Sequence, residues 1–245
     1  MAYTRRDFGY IKFASVFTAL SLIFTLSGIF MPLAYRSVGS VIADTDETKI
    51  TVVIDAGHGG EDGGACTYGG LAEKELNLLI SSDLYILLSA AGINVIMTRT
   101  DDKLLYDPNS DFKGHKKSMD LAARLKIANN TPDAVLVSIH MNAFPEEKYS
   151  GLQVYYSVGA PEGSQLASLI QSNTQRLLDP GNDRKIKPAG KNIYLLDRFD
   201  GIGVLVECGF LSNREERARL NNEDYRHQLA FIIFCSLIQF TKLGG

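Results

Sequence analysis

The sequence predicts an α/β fold: one domain with a twisted, mostly parallel sheet flanked by helices on both faces. Three observations lead there. Thr51-Val52-Val53-Ile54 and Ala134–Ile139 are short apolar runs rich in branched residues, the composition of strands covered on both sides. Between them Leu76, Ile80, Leu84, Leu87 and Ala91 recur at steps of four, four, three and four, which is one face of a helix. Strand-like and helix-like segments then keep alternating to the C-terminus, the pattern of crossover connections in a parallel sheet.

The chain has 245 residues, of which 45% are hydrophobic and 22% charged, an ordinary globular balance. Its net charge of −3 supplies no basic field, so nucleic acid is not an expected partner. Cys66, Cys208 and Cys235 form no C-x-x-C pair, which argues against a zinc knuckle or a redox motif.

The N-terminus divides into a basic region over residues 1–12, with Arg5, Arg6 and Lys12, and an uncharged run over 13–35. A basic flank before an apolar run is the arrangement of an export signal. The run is close to the ~20 residues that span a bilayer. It either stays as a single membrane anchor or is cut near Gly39, Ser40 and Ala43. In both cases the remainder is exported, to the outer face of the cytoplasmic membrane or an intermembrane space. Residues 36–48 read as a linker, and the folded domain is expected over 49–245.

The first strand, from Thr51, runs into Asp55 and then Gly57-His58-Gly59-Gly60, where glycine permits a sharp turn with open space around the imidazole. A Gly-rich loop follows, then a helix from Glu73 ended by Gly92. Ile93–Thr98 is the second strand, with a charged exit at Arg99, Asp101 and Asp102. Leu104–Lys117 is a polar excursion. Ser118 is the expected cap of a helix carrying Leu121, Leu125 and Ala128. The third strand ends at His140-Met141-Asn142. Gly151–Ser157 is a fourth strand, and Leu166, Leu169, Ile170, Asn173 and Leu177 mark a helix. Asp179–Lys191 reads as a loop, Ile193–Leu196 as a short strand, and Gly203–Val206 as the last strand, entering Glu207-Cys208-Gly209. Asn213 and Glu216 have the spacing of a capping box. Glu223–Lys242 reads as a closing helix packed on the core.

Two strand ends thus carry imidazoles, His58 and His140, one carries Glu207, and Glu73 opens the first helix. Parallel strands deliver their C-terminal ends to a common edge, where α/β proteins bind ligands. Two imidazoles and a carboxylate around an open position are a catalytic zinc pattern, and a further carboxylate is then free to move a proton. Each piece has a plainer reading: His58 as a turn histidine, Glu73 as a first-turn acid favoured by the helix dipole, with Glu75 its rival. Glu207 is harder to explain structurally, because a carboxylate beside an apolar strand needs a partner. His115 and His227 read as solvated. Cys208 alternates away from Glu207 and reads as core filler, which leaves Cys66, in the wrapping loop, as the more plausible reactive or mispaired thiol.

The segments GHGG with a downstream glutamate, NVIMTRTDD, SIHMN and VECGFLSN together resemble the zinc-dependent N-acetylmuramoyl-L-alanine amidases of bacterial cell walls. The resemblance spans nearly all of Lys49–Leu243. It implies that family's phosphorylase/hydrolase-like α/β fold, Zn2+ held by His58, Glu73 and His140, and Glu207 as catalytic acid/base. It implies cleavage of the amide between the muramic lactyl group and the L-alanine of a peptidoglycan stem, with Asn142 and Arg124 lining or bracing the substrate site. No repeated wall-binding module is present. The short stretch before Ile193 leaves little room for an inserted plug, so the site is expected to be open or controlled by another protein. This compact, exported form is similar to the amidases of spore cortex maturation, where stripped muramic acid becomes muramic lactam. Rival readings are another exported zinc hydrolase, such as a carboxypeptidase, and a catalytically silent wall-binding protein.

Overall fold

The computed structural model describes residues 50–66, 71–107, 109 and 114–243. The basic region, the apolar run and the linker lie outside the described residues. Six strands form one sheet: β1 (Thr51–Ala56), β2 (Asn94–Met97), β3 (Ala134–Asn142), β4 (Gln153–Tyr156), β5 (Lys187–Pro188) and β6 (Ile202–Phe210). Their spatial order is β2-β1-β3-β6-β4-β5. β1 pairs in parallel with both β2 and β3, and β3 with β6, whereas β4 runs antiparallel to β6. The fold is therefore the expected α/β domain with a mostly parallel sheet.

Alternation along the strands divides the core. On one face Val52, Ile54, Val137, Ile139, Val204, Val206 and Cys208 pack against the apolar stripes of α1 (Glu73–Ala90), α3 (Glu162–Leu177) and α6 (Glu223–Lys242). Val53, Leu136 and Leu205 point the other way, to α2 (Lys116–Asn129) and the short α4 (Tyr194–Arg198), which contribute Ala128, Leu195 and Leu196. This second cluster is the smaller one and ends where Asp55, His140 and Glu207 take over the same face. α5 (Arg214–Asn221) lies between β6 and α6. No described helix is long and apolar enough to cross a membrane. The closing helix buries Leu229, Ile233, Leu237 and Phe240 in the larger core, as its αβ context predicts.

Several local expectations are corrected. Ile193–Leu196 is not a strand. Tyr194–Arg198 is a helical turn with Ile193 at its cap, and a four-residue apolar run has no period by which to tell the two apart. The edge strand lies instead within the presumed loop, at Lys187–Pro188, paired to Tyr155 and Tyr156; proline is tolerated there because an edge leaves the missing N–H unneeded. α2 begins at Lys116 rather than after Ser118, with His115 at its cap. In α1 the fourth buried apolar residue is Leu88, while Leu87 is only half-buried. Asn213 does cap α5, accepting from the N–H groups of Glu215 and Glu216. Glu216 does not return the favour: its carboxylate turns inward and accepts from Phe210 N at 2.8 Å, tying α5 to the end of β6.

Candidate metal centre

β1, β3 and β6 end side by side, and the register pairs His140 with Glu207 across β3 and β6. Past β1 the chain turns at His58, whose φ of 61° is unusual for a side-chain-bearing residue and marks a position fixed by its surroundings. Glu73, at the first position of α1, projects back toward that turn. Its Oε1 lies 3.2 Å from His58 Nε2 and 3.0 Å from His140 Nδ1. The two rings meet edge to face with centroids 4.9 Å apart. One donor atom from each of the three residues falls within 4.8 Å of the other two. Tetrahedral zinc with bonds of 2.0–2.1 Å places its donors about 3.3 Å apart, so this cluster is close to the required span.

The surroundings hold the three side chains from behind. Glu73 Oε2 accepts from Ala65 N at 2.7 Å, and Oε1 also accepts from Met141 N at 3.1 Å. Asp62 Oδ2 takes His58 Nδ1 at 2.9 Å, leaving Nε2 turned toward Glu73, the usual way a carboxylate orients a ligating imidazole. The cradle is also shaped by what is missing. A Cβ on Gly57 would sit 2.2 Å from His140 Nε2, and one on Gly64, whose φ is 63°, would sit 2.5 Å from Glu73 Oε2. Burial by itself would raise the Glu73 carboxyl, but hydrogen bonds with His140 and His58 hold it well below the usual carboxylate range. Burial would likewise lower His58; Glu73 and Asp62 outweigh it and raise the imidazole.

Glu207 stands apart from that cluster. Burial pushes its carboxyl up to about 7, with His140 nearby working the other way. Its Oε2 is buried without a hydrogen-bond partner, an arrangement that costs free energy unless a water or substrate atom completes it. Glu207 and His140 line a cleft of about 300 Å³ between α2 and α4, with Lys117, Asn192 and Tyr194 along its walls. In metal-free protein burial holds the folded carboxyl of Glu207 at about 7, against about 4.5 when unfolded. The folded state therefore loses stability as pH rises from about 4.5 through 7, by about 3 kcal/mol in total. Glu207→Gln removes that loss. Urea unfolding of the metal-free proteins is expected to give equal stabilities at pH 4 and a more stable variant at pH 8; a pH-independent difference contradicts it.

The remaining site expectations fare differently. Arg124 is buried, and its guanidinium donates to Asp120, Asp55, Ala56 O and His58 O at 2.7–2.8 Å. It borders the cleft, and its hydrogen bonds run to the protein, an arrangement that braces the His58 turn. Asn142 lies past a register shift that follows His140; its carbonyl accepts from Leu211 N at 2.8 Å, and it is not among the described residues lining the cleft. Glu75, the rival to Glu73, faces outward and accepts from Ala72 N. Cys208 is wholly buried, which raises its thiol, and Cys66 is exposed. Sequence reasoning missed Asp62, Asn77 and Arg99. Asp62 had a usable signal, an acid four residues from a turn histidine; a lone Asn inside a helix stripe and an Arg at a strand exit offer none.

Residues 52–239 match the family described as N-acetylmuramoyl-L-alanine amidase. The germination-specific N-acetylmuramoyl-L-alanine amidase of Bacillus subtilis (strain 168) is 35% identical over 194 residues, covering 79% of this chain and 81% of that one. Among solved structures, the CwlD amidase of Clostridioides difficile in complex with the GerS lipoprotein is 37% identical, with a TM-score of 0.75 over 79% of this chain and 98% of that chain. An N-acetylmuramoyl-L-alanine amidase from Clostridium difficile 630 is 32% identical, with a TM-score of 0.69 over 81% of this chain and all of that one.

Proposed function

Because this chain belongs to the N-acetylmuramoyl-L-alanine amidase family, an enzyme family acting on peptidoglycan, we propose that it is a zinc amidase of spore cortex maturation with His58, Glu73 and His140 as metal ligands. The observation that carries the metal assignment is the convergence of those three side chains on one point, beside the unpartnered carboxylate oxygen of Glu207. The cortex role is supported by the germination-specific relative and the CwlD structure. The proposal extends to export through the N-terminal segment, as a cut signal or a retained anchor. It also extends to a protein partner, supported by the lipoprotein bound to the solved relative.

When bound, zinc supplies a Lewis acid that polarises the amide carbonyl and activates water for attack. Glu207 accepts the proton of the attacking water and passes it to the departing L-alanine nitrogen, so that the lactyl carboxylate and a free amine are the products. A carboxyl held near neutrality by burial suits both halves of that transfer. Asp62 keeps the His58 ring in one tautomer, and the bonds of Glu73 to Ala65 and Met141 prevent its carboxylate from swinging out.

Metal analysis and digestion of purified peptidoglycan test the proposal together. One zinc per chain and the appearance of free N-terminal L-alanine on otherwise intact stem peptides are expected. Cleavage within the stem instead indicates a peptidase, and no release from metal-loaded protein indicates a silent wall-binding protein.

A further inference from the structure

Arg99 follows β2 and is only 2% exposed. A buried guanidinium ordinarily faces a carboxylate, since leaving its charge in the interior is costly. Here each of its four hydrogen bonds ends on a backbone carbonyl: Nε on Ala56 O at 2.8 Å, Nη2 on Gly57 O at 2.9 Å and on Lys74 O at 2.7 Å, and Nη1 on Asp101 O at 3.1 Å. Gly57 precedes His58, and Lys74 follows Glu73. A single nitrogen of a rigid, planar group therefore spans the two segments that carry the first and second members of the cluster.

We propose that Arg99 is a positioning residue that fixes His58 and Glu73 at the spacing a divalent ion needs, an inference that rests on these residues being the ligands. Its neighbours do complementary work. Arg124 also grips Ala56 and His58, with no hydrogen bond to α1. Asn77, on α1, reaches Gly57 O at 3.1 Å. Gly59 packs directly onto Arg99: an added Cβ would lie 3.1 Å from its Cδ and Nε. The third residue is drawn into the same frame, because Gly57 N donates to Ile139 O and the His140 ring occupies the space a Gly57 side chain would need. Lysine cannot replace the fork. It offers a point charge on a flexible stem where the geometry calls for divergent donors in one plane.

The test separates ion affinity from fold stability in the full chain. Arg99→Met and Arg99→Lys are compared with the parent by zinc competition against a chelator, and by far-UV circular dichroism and thermal unfolding of the metal-free proteins. Ile233→Ala, in the α6 core, is the control that lowers stability away from the site. Arg99→Met is expected to keep the parent's far-UV spectrum and to bind zinc roughly 10- to 100-fold more weakly, Arg99→Lys to fall between, and Ile233→Ala to melt earlier with parental zinc affinity. Zinc affinity within twofold of the parent in folded Arg99→Met overturns the inference, as does an equal affinity loss in the control. Should Arg99→Met not fold, parental affinity in Arg99→Lys overturns it instead. A parent that takes up no zinc sinks the ligand assignment itself, an outcome distinct from a parent and variants that bind alike.

Discussion

Glu207→Gln is expected to lower kcat on peptidoglycan by roughly 10³-fold, within the 10²–10⁴ that a positioned acid/base contributes, while zinc stays near one per chain. The amide keeps the volume and neutrality of the protonated acid, so nothing in the packing changes. It lacks the one property the reaction requires, the ability to take a proton from water and return it to nitrogen. The three clustered residues do not include Glu207, so the ion has no reason to leave. KM is expected to change little, because the loss falls on a step after binding. A Glu207→Gln protein purified without metal, or one retaining more than a tenth of the parental turnover, contradicts the assignment.

Arg124→Met is expected to destabilise the fold by about 3–5 kcal/mol, the cost of stripping one partner from a buried ion pair, and to lower the melting temperature by about 10 °C. Arg124 and Asp55 are each 1% exposed and 2.8 Å apart, and Asp120 is 2.7 Å from the same guanidinium. Burial would raise the Asp55 carboxyl, yet Arg124 and the Ser138 hydroxyl more than reverse this and hold it low. Removing the arginine leaves Asp55 with Thr98 and Ser138 as donors and without its ion-pair partner. If Arg124 served mainly to touch substrate, the variant would melt with the parent and show only a raised KM. The pair of measurements therefore decides between bracing and recognition.

How far the site could be read in advance follows from where its parts lie. His58, His140 and Glu207 were legible because each sits at the end of an apolar strand, and parallel strands bring such ends to one edge whatever their separation in sequence. Glu73 was legible through the Gly-rich loop leading to it. Arg99 and Asn77 were not, because their partners are backbone carbonyls, which any residue supplies and no pattern marks. Which of its two expected roles, lining or bracing, Arg124 fills is not legible for a related reason: an arginine on a helix looks alike in sequence whether its fork points to solvent or to a buried aspartate 69 positions away. The antiparallel course of β4 also escapes, since it depends on which neighbour β6 takes, and the helical turn at Tyr194 escapes because so short an apolar run shows no period.

The donor atoms at the candidate centre come from a turn, a helix start and a distant strand, and no short peptide of this chain contains them all. Occupancy and folding are therefore thermodynamically linked: only the assembled chain competes for the ion, and free ion at 1,000 times its dissociation constant adds about 4 kcal/mol to the stability of the whole domain by mass action. On the proposed function, the supply of the metal then governs how long the fold lasts as well as how fast the enzyme works.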